Sequence, residues 1–202
     1  MILLVNNAAR RVPLEARHLV GDFKSPRAWL RCSTTPLWAA DNDAFSGFNE
    51  TRYERMLDSF ATAEVPPRFV TLPDVVGNYG ETVKLWGRWH RNLAGRNLNR
   101  AFVMQNGGEP FGHAGIPWDY IEALFIGGDT AFKFSGYVAE MVRYAKLHGK
   151  WVHMGRVNSV RRMEYARRIG CDSCDGSGMA RFPTSVLFPM INALQQDQLF
   201  LL

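Results

Sequence analysis

Residues 123–155, ALFIGGDTAFKFSGYVAEMVRYAKLHGKWVHMG, contain the pattern that decides the fold. The stretch opens on a short apolar run at residues 123–126 and closes on another at residues 151–154. Between these runs, residues 136–148 have the length and apolar spacing of an amphipathic helix. A strand, a helix and a second strand form the unit from which parallel α/β sheets are built. This stretch therefore predicts two parallel strands with a helix between them.

The same alternation extends in both directions along the chain. Further apolar runs occur at residues 2–5, 37–40, 68–72, 101–104 and, more weakly, 169–173, with residues 28–33 as another candidate. Helical spacing recurs at residues 50–63, 81–93 and 159–169. Seven or eight such units fit a closed barrel better than an open sheet, and no glycine-rich dinucleotide-binding fingerprint follows the first strand. We therefore predict a compact, trimmed (β/α)8 barrel of the TIM type.

Composition and length indicate an ordinary globular protein. The chain has 202 residues, of which 47% are hydrophobic and 21% are charged, and this composition argues against disorder. We expect one domain spanning residues 1–202. No apolar stretch approaches the roughly 20 residues that a membrane span needs, and residues 1–5 are too short for a signal-peptide core. These features predict a soluble cytoplasmic protein with no membrane partner.

Charge and cysteine content restrict the classes of partner and cofactor. The formal net charge of +5 weakly favours an acidic partner. The three cysteines are too few for a disulfide framework, and an odd number cannot all be paired within the chain; they are Cys32, Cys171 and Cys174. Cys171 and Cys174 have the spacing of half a zinc or redox motif, but no second pair completes it. We therefore expect reduced thiols, no metal site and no cofactor.

Polar residues and glycines follow directly after the predicted strands. Strand ends of a barrel form its active-site face, so chemistry is expected there. The residues in these places are Asp41, Asp74, Gln105, the pair Gly127 and Gly128, the pair Gly155 and Arg156, and Asp175. Aspartate also commonly caps helices and opens turns, and that reading competes at any single position. Three carboxyls, an amide and a Gly-Gly pair at successive strand ends favour a catalytic site.

These segments resemble, in the same order, the active-site segments of tRNA-guanine transglycosylases. The segments are DNDAF at 41–45, FVMQ at 102–105, FIGG at 125–128, VHMG at 152–155 and GCDSCD at 170–175. The likeness is greater to the phage-type DNA 7-deazaguanine transglycosylases, the DpdA family, through LPDVVG at 72–77, FIGGDT at 125–130 and VHMGRVNS at 152–159. It covers roughly residues 37–178.

The resemblance implies a role for each matching residue. Asp175, the second acid of the Gly-x-Asp-x-x-Asp run, matches the nucleophile, and Asp41 matches the acid that acts on the departing and arriving bases. Asp74 matches the carboxylate that binds the purine edge. Four further matches imply contacts with the base: Gln105 and the backbone N–H of Gly128 through hydrogen bonds, Gly127 through backbone that faces the base, and Phe45 through stacking. Met154 matches the residue on the other side of the base, and core packing is an equally good interpretation of it.

The sequence also departs from the tRNA enzymes. Asp43 adds an acid to the first segment, and Asn106 replaces the glycine after Gln105. Asp172 is the first acid of the GCDSCD segment at 170–175. No Cys or His follows Asp175, so the residues of the family's zinc subdomain are missing. The tRNA enzymes use that subdomain for structure and RNA docking, so its absence favours DNA over tRNA as the nucleic-acid partner.

The function that the resemblance implies is exchange of guanine in DNA for a free 7-deazaguanine such as 7-cyano-7-deazaguanine, through a covalent aspartyl–sugar intermediate. Such an enzyme is a pentosyltransferase, and its relatives' dimers allow a homodimer. Lys133 and Arg156, just beyond strand ends, are candidates for contacts with phosphate or sugar. Three alternatives remain open: a tRNA-guanine transglycosylase, a nucleic-acid N-glycosidase, and a catalytically silent binding barrel.

Overall fold

Eight parallel strands form a closed barrel in this computed structural model, which describes residues 1–6, 12–28, 33 and 35–199, the last three through their backbone only. The strands are β1 (Ile2–Val5), β2 (Val20–Lys24), β3 (Trp38–Ala40), β4 (Val70–Thr71), β5 (Arg100–Met104), β6 (Ala123–Ile126), β7 (Trp151–Met154) and β8 (Ser173–Asp175). Each strand pairs with the next one in the chain, and β8 pairs with β1. The predicted (β/α)8 barrel is confirmed.

Within the described residues, seven α-helices accompany the strands: α1 (Glu50–Ala61), α2 (Tyr79–Gly95), α3 (Thr130–Lys133), α4 (Gly136–Leu147), α5 (Val160–Ile169), α6 (Ser177–Arg181) and α7 (Phe188–Leu199). Shorter 3-10 segments occupy Leu14–Leu19, Ala44–Ser46, Glu109–Gly115 and Trp118–Tyr120, and a π-helical turn occupies Pro183–Leu187. Before five of the α-helices, an Asn, Asp or Ser side chain accepts the backbone N–H of the third helical residue. These capping residues fix where the long helices begin.

Alternation along each strand divides the apolar residues into two layers. One set fills the barrel interior and includes Leu4, Phe23, Phe69, Val103 and Phe125. The other set faces the helices and forms the larger core. Because successive strand residues point to opposite faces, this division also decides which side chains can reach the active-site end of the barrel.

The second strand is where the sequence prediction was wrong. It lies at Val20–Lys24, whereas Ala28 and Ser33 of the predicted run are outside any strand and residues 29–32 lie outside the described part of the chain. The strand contains two charged residues, Asp22 and Lys24, so it is not an apolar run. Their side chains are buried together, with 3.4 Å between Lys24 Nζ and Asp22 Oδ2. Pairing of the two charges permits their burial.

No helix in the described ranges combines the length and the apolar character needed to cross a membrane. Cys171 and Cys174 are buried free thiols, and burial raises the pKa of both. Cys32 lies outside the described residues.

Candidate functional site

A single cavity at the carboxyl ends of the strands is lined by all of the predicted site residues except Met154. Those residues are Asp41, Phe45, Asp74, Gln105, Gly127, Gly128, Lys133, Arg156 and Asp175. The lining is completed by Asn42, Ala44, Val76, Val103, Phe125 and Gly155. Parallel strands bring their carboxyl ends to the same face of a barrel, and residues distant in sequence therefore meet there.

Asp41 extends β3 into this cavity. Its backbone N–H donates to the carbonyl of Lys24, which continues the pairing of β3 with β2. Its carboxylate accepts hydrogen bonds from the backbone N–H of Asn42 at 2.9 Å and from the hydroxyl of Thr71 at 3.3 Å. Burial, together with the negative charges of Asp175 and Asp74, raises the pKa of Asp41 to about 7. Asp41 can therefore hold or release a proton near neutral pH.

Asp74 is held by two amide side chains. Asn42 donates to its Oδ1 at 2.7 Å, and Gln105 donates to its Oδ2 at 2.6 Å. Burial raises the pKa of Asp74, while these hydrogen bonds and the charge of Arg156 act in the opposite direction. Asp74 is thus a fixed hydrogen-bond acceptor on the cavity wall.

Gln105 joins three strand ends. Its Nε2 donates to Asp74, and its Oε1 accepts the backbone N–H of Gly77 at 2.9 Å and that of Gly128 at 2.7 Å. The side chain is buried, and both lone pairs of Oε1 are used. The structure therefore places Gln105 as a support for Asp74 and for the glycine loop.

A Gln105→Glu variant is expected to lower the free energy of unfolding by about 1–3 kcal/mol. The new carboxylate can still accept from both glycines, but it cannot donate to Asp74 and repels it when both are ionised. Gln196→Glu, at an exposed position of α7, introduces the same charge outside the cavity. Urea unfolding of the two variants measures the difference. Equal losses of stability would contradict the role assigned to Gln105.

The backbone of Gly127 and Gly128 is already engaged within the protein. The N–H of Gly127 donates to the carbonyl of Met104, and the N–H of Gly128 donates to Gln105. Both N–H groups therefore have acceptors within the protein, and the contact of this backbone with a base, which the resemblance implies, stays a prediction. Gly128 has φ +70°, and an added Cβ would lie 2.5 Å from the ring of Phe132. Glycine is required here for the turn and for close packing.

Asp175 ends β8 and meets a histidine from β7. Its Oδ1 accepts hydrogen bonds from His153 Nε2 at 3.0 Å and from the backbone N–H of Arg156 at 3.3 Å. His153 is fully buried in the barrel interior. In the sequence, His153 was predicted only as part of the apolar run at residues 151–154. His153 and Trp151 share the inward face of β7, but the sequence alone does not show which of the two alternating sets faces inward.

Phe45 and Arg156 lie at the solvent edge of the cavity. Phe45 is 68% exposed, and the Arg156 guanidinium lies 4.6 Å from the centre of its ring. The guanidinium also donates to the carbonyl of Gly128, and Arg156 adopts φ +59°. The cavity volume is about 60 Å³, which is room for about two water molecules. A purine enters only if this edge opens.

Lys133 is a buried cation beside the carboxylates. Its Nζ donates to the carbonyl of Gly155 at 2.6 Å. Burial and the positive charges of Arg156 and Arg162 lower the pKa of Lys133 to about 8, although the charge of Asp175 opposes them. Lys133 therefore supplies positive charge at the cavity below about pH 8.

Met154 does not line the cavity. It is buried in the layer between the barrel and the helices, because it alternates with the inward-facing His153 on β7. The expected contact of Met154 with a base is therefore replaced by core packing. Val103 and Phe125, together with Ala44, Phe45 and Val76, form the apolar part of the cavity lining.

Two other acids are excluded from the cavity. The carboxylate of Asp43 accepts the backbone N–H of Arg27 at 3.0 Å and lines a separate surface depression with Arg27 and Arg52. Asp172 precedes β8 and forms an ion pair with Lys146 at 2.7 Å. Asp41, Asp74 and Asp175 are thus the acids of the site.

Comparison with known proteins adds a likeness to solved structures. No family model and no curated protein matches this chain. A solved structure described as "PaMucR Phosphodiesterase, c-di-GMP complex" is similar at a TM-score of 0.43 and 12% sequence identity, over 71% of this chain and 60% of that chain. A likeness of this size leaves the activity to be argued from the residues of the cavity. Within the described ranges, no group of three or more His, Cys, Asp or Glu side chains could hold a metal ion.

Proposed function

We propose that this protein is a DNA-guanine transglycosylase that exchanges guanine in DNA for a 7-deazaguanine through a covalent intermediate on Asp175. The observation that supports this proposal most strongly is the convergence of Asp41 and Asp175, from β3 and β8, on one cavity. The raised pKa of Asp41, about 7, suits a proton carrier, while Asp175 offers a carboxylate. An exchange that retains the configuration at the sugar carbon requires two carboxyl groups with different roles.

In the first half of the reaction, a carboxylate oxygen of Asp175 attacks the anomeric carbon of the target nucleotide. The bond from that carbon to guanine breaks, and its electron pair leaves with the base. Asp41 donates its proton to the departing guanine, which leaves as a neutral molecule. The sugar remains as an ester of Asp175.

In the second half, Asp41 is a carboxylate and accepts the proton from the ring nitrogen of the incoming 7-deazaguanine. That nitrogen attacks the anomeric carbon, and the ester bond breaks with its electrons returning to Asp175. Both acids are then in their starting states. The two displacements together retain the configuration at the sugar.

Base recognition rests on Asp74 and Phe45. Asp74 presents acceptor oxygens that suit the ring N–H and the exocyclic amine of guanine or a 7-deazaguanine. Phe45 presents an exposed ring on which a base can stack once the cavity edge opens. The target nucleotide has to be flipped out of the duplex or be single-stranded to reach these groups.

Replacing Phe45 by alanine is expected to raise the KM for the free base about tenfold, because a base–aromatic stack is worth about 1–3 kcal/mol. The stability of the protein should change little, since the ring is 68% exposed. Phe111→Ala, which removes another exposed ring away from the cavity, is the matched control. Steady-state exchange kinetics give both values. The same KM in both variants would exclude stacking on Phe45.

A groove next to the cavity offers a path for the nucleic-acid backbone. Its volume is about 470 Å³, and Lys133 and Arg156 line both the groove and the cavity. Arg162, from the first turn of α5, adds a third positive charge, and the charges of the two arginines both lower the pKa of Lys133. None of the three cations forms a salt bridge with a residue in the described part of the chain. A phosphodiester is the class of ligand that such a cluster fits.

Arg162→Gln is expected to weaken binding of single-stranded DNA and to reduce the slope of log K against log salt by about 0.7–1, the contribution of one phosphate contact. Arg161→Gln removes the same charge from the neighbouring, exposed position of α5 and should leave the slope unchanged. A salt titration of DNA binding measures both variants. Identical slopes would show that the groove does not hold the backbone.

The choice of DNA over tRNA rests on the segments that resemble the DNA enzymes. Incubation with radiolabelled 7-cyano-7-deazaguanine and either DNA or tRNA tests it. We expect label in DNA. Label in tRNA would keep the chemistry and change the substrate, and guanine release without incorporation would indicate an N-glycosidase. No chemistry on either nucleic acid would leave a binding barrel and overturn the proposal.

A further inference from the structure

Three side chains beneath Asp175 form a hydrogen-bonded chain along β7 and β8. Trp151 Nε1 donates to Ser173 Oγ at 2.8 Å, Ser173 Oγ lies 2.8 Å from His153 Nδ1, and His153 Nε2 lies 3.0 Å from Asp175 Oδ1. His153 and Ser173 are paired in the strand register, and both are fully buried. The chain therefore connects the middle of the barrel to a carboxylate of the cavity.

The indole at one end fixes the direction of this chain. An indole N–H can only donate, so Ser173 Oγ is an acceptor toward Trp151. The single hydroxyl proton of Ser173 then has His153 Nδ1 as its acceptor among the described residues. Nδ1 carries no proton in that arrangement, and the neutral ring has its proton on Nε2. The opposite tautomer would direct a nitrogen lone pair at the carboxylate of Asp175.

Packing around the ring prevents His153 from turning away. Its centre lies 5.3 Å from the ring centres of Phe23 and Phe69 and 4.7 Å from that of Phe125. These three side chains fill the barrel interior together with Leu4 and Val103. A side chain held on several sides by close packing keeps one orientation. The Nε2–H of His153 thus points permanently at Asp175.

The hydrogen bonds distinguish the two carboxylate oxygens of Asp175. Oδ1 accepts from His153 and from the backbone N–H of Arg156, while Oδ2 accepts no hydrogen bond from a described residue. We infer that His153 is a positioning residue, which holds Asp175 by Oδ1 and leaves Oδ2 as the oxygen that attacks the sugar. The assignment of Oδ2 as the attacking oxygen rests on the proposed function, whereas the tautomer of His153 and its hydrogen bond to Oδ1 do not.

The same contact serves both halves of the exchange. When Oδ2 forms the bond to the sugar, Oδ1 becomes the carbonyl oxygen of the ester and still accepts from His153. When the incoming base breaks that bond, the electron pair returns to the carboxylate, and a donor already in place stabilises the charge on Oδ1. The ring neither gains nor loses a proton in either step.

The tautomer is tested by ¹⁵N NMR of the full-length protein labelled in histidine, at mildly alkaline pH. The His153 signals are assigned by their loss in His153→Gln. We expect Nδ1 at the chemical shift of an unprotonated ring nitrogen and Nε2 at that of a protonated one. An unprotonated Nε2 would overturn the inference, and this result does not depend on any enzymatic activity.

The positioning role is tested by single-turnover kinetics of His153→Leu and His153→Gln. Leucine removes the donor, and we expect the rate constant for forming the sugar–enzyme adduct to fall roughly a hundredfold with little change in the half-saturating DNA concentration. The glutamine amide can donate to Asp175 and should recover at least about tenfold of this loss. Rates are compared per folded protein, as determined by thermal unfolding.

Equal rates for the two variants at equal folded fractions would overturn the positioning role, because a merely structural role gives buried glutamine no advantage over leucine. If the unmodified protein forms no adduct, the proposed function fails, and the NMR measurement alone then decides whether His153 holds Asp175.

Discussion

Asp175→Asn is expected to lower the rate constant for base exchange by a factor of about 10⁴ or more, the size of effect found when a catalytic nucleophile is removed. An amide oxygen is a poor nucleophile and cannot form the sugar ester, yet asparagine keeps the volume of the side chain and can accept from His153 through its oxygen. The barrel should therefore fold normally. Exchange of labelled base into DNA measures the rate.

Asp172→Asn is the matched control for this variant. Asp172 belongs to the same run of sequence, but it pairs with Lys146 and accepts the backbone N–H of Val152, outside the cavity. Its replacement should leave the exchange rate per folded protein within about threefold of the original, since a partly exposed ion pair is worth only about 0–1 kcal/mol. Comparable losses in the two variants would remove Asp175 from its role.

The second large effect expected is a pH dependence centred on Asp41. Departure of guanine requires protonated Asp41, so its rate should fall as the pH rises through about 7. Activation of the incoming base requires the carboxylate, so the second half-reaction should slow as the pH falls through the same value. In Asp41→Asn both dependences near pH 7 should disappear, while an inflection near pH 8 from Lys133 remains. Rapid-quench measurement of each half-reaction on its own distinguishes the two pH dependences.

The raised pKa of Asp41 also has a consequence for stability. Its pKa rises from 3.8 to about 7 on folding, so the folded state binds a proton more tightly than the unfolded state. The stability contributed by protonated Asp41 is complete below pH 3.8 and is lost as the pH rises through about 7. Asp41→Asn should therefore be more stable than the original protein above pH 7 by on the order of 4 kcal/mol, since each unit of the pKa difference is worth about 1.4 kcal/mol.

Urea unfolding at both ends of this range tests the linkage. The difference in the free energy of unfolding between Asp41→Asn and the original protein should grow from pH 4 to pH 7 and then stay constant. A difference that does not change with pH would show that burial of Asp41 does not raise its pKa.

The sequence predicted most of the barrel because most of its strands are apolar runs between amphipathic helices. The helices predicted at residues 50–63, 81–93, 136–148 and 159–169 correspond to α1, α2, α4 and α5, with ends that differ by one or two residues. β2 was missed because Asp22 and Lys24 interrupt its apolar pattern, and only the folded barrel brings these charges together. The apolar pattern along the sequence does not indicate that two charged residues will be buried as a pair.

Most of the residues predicted at strand ends line the cavity. Asp41 and Gln105 directly follow β3 and β5, Asp74 lies three residues beyond β4, and Asp175 ends β8. Barrel geometry brings these strand ends together. Met154 was predicted to contact the base, but it is the last residue of β7 and alternates with the inward-facing His153, so its side chain packs in the larger core. His153 was missed because the phase of the alternation along β7 is decided by pairing with β8, which the order of residues alone does not specify.

The central claim is that a sugar of the nucleic acid becomes bonded to Asp175. It is tested most directly by acid-quenching the protein with a DNA strand before the second base is added, followed by nuclease and protease digestion and mass spectrometry. We predict an added deoxyribose phosphate fragment on the peptide that contains Asp175, with free guanine released in equal amount. Guanine release with no modified peptide, or an adduct mapped to Asp41, would contradict this account.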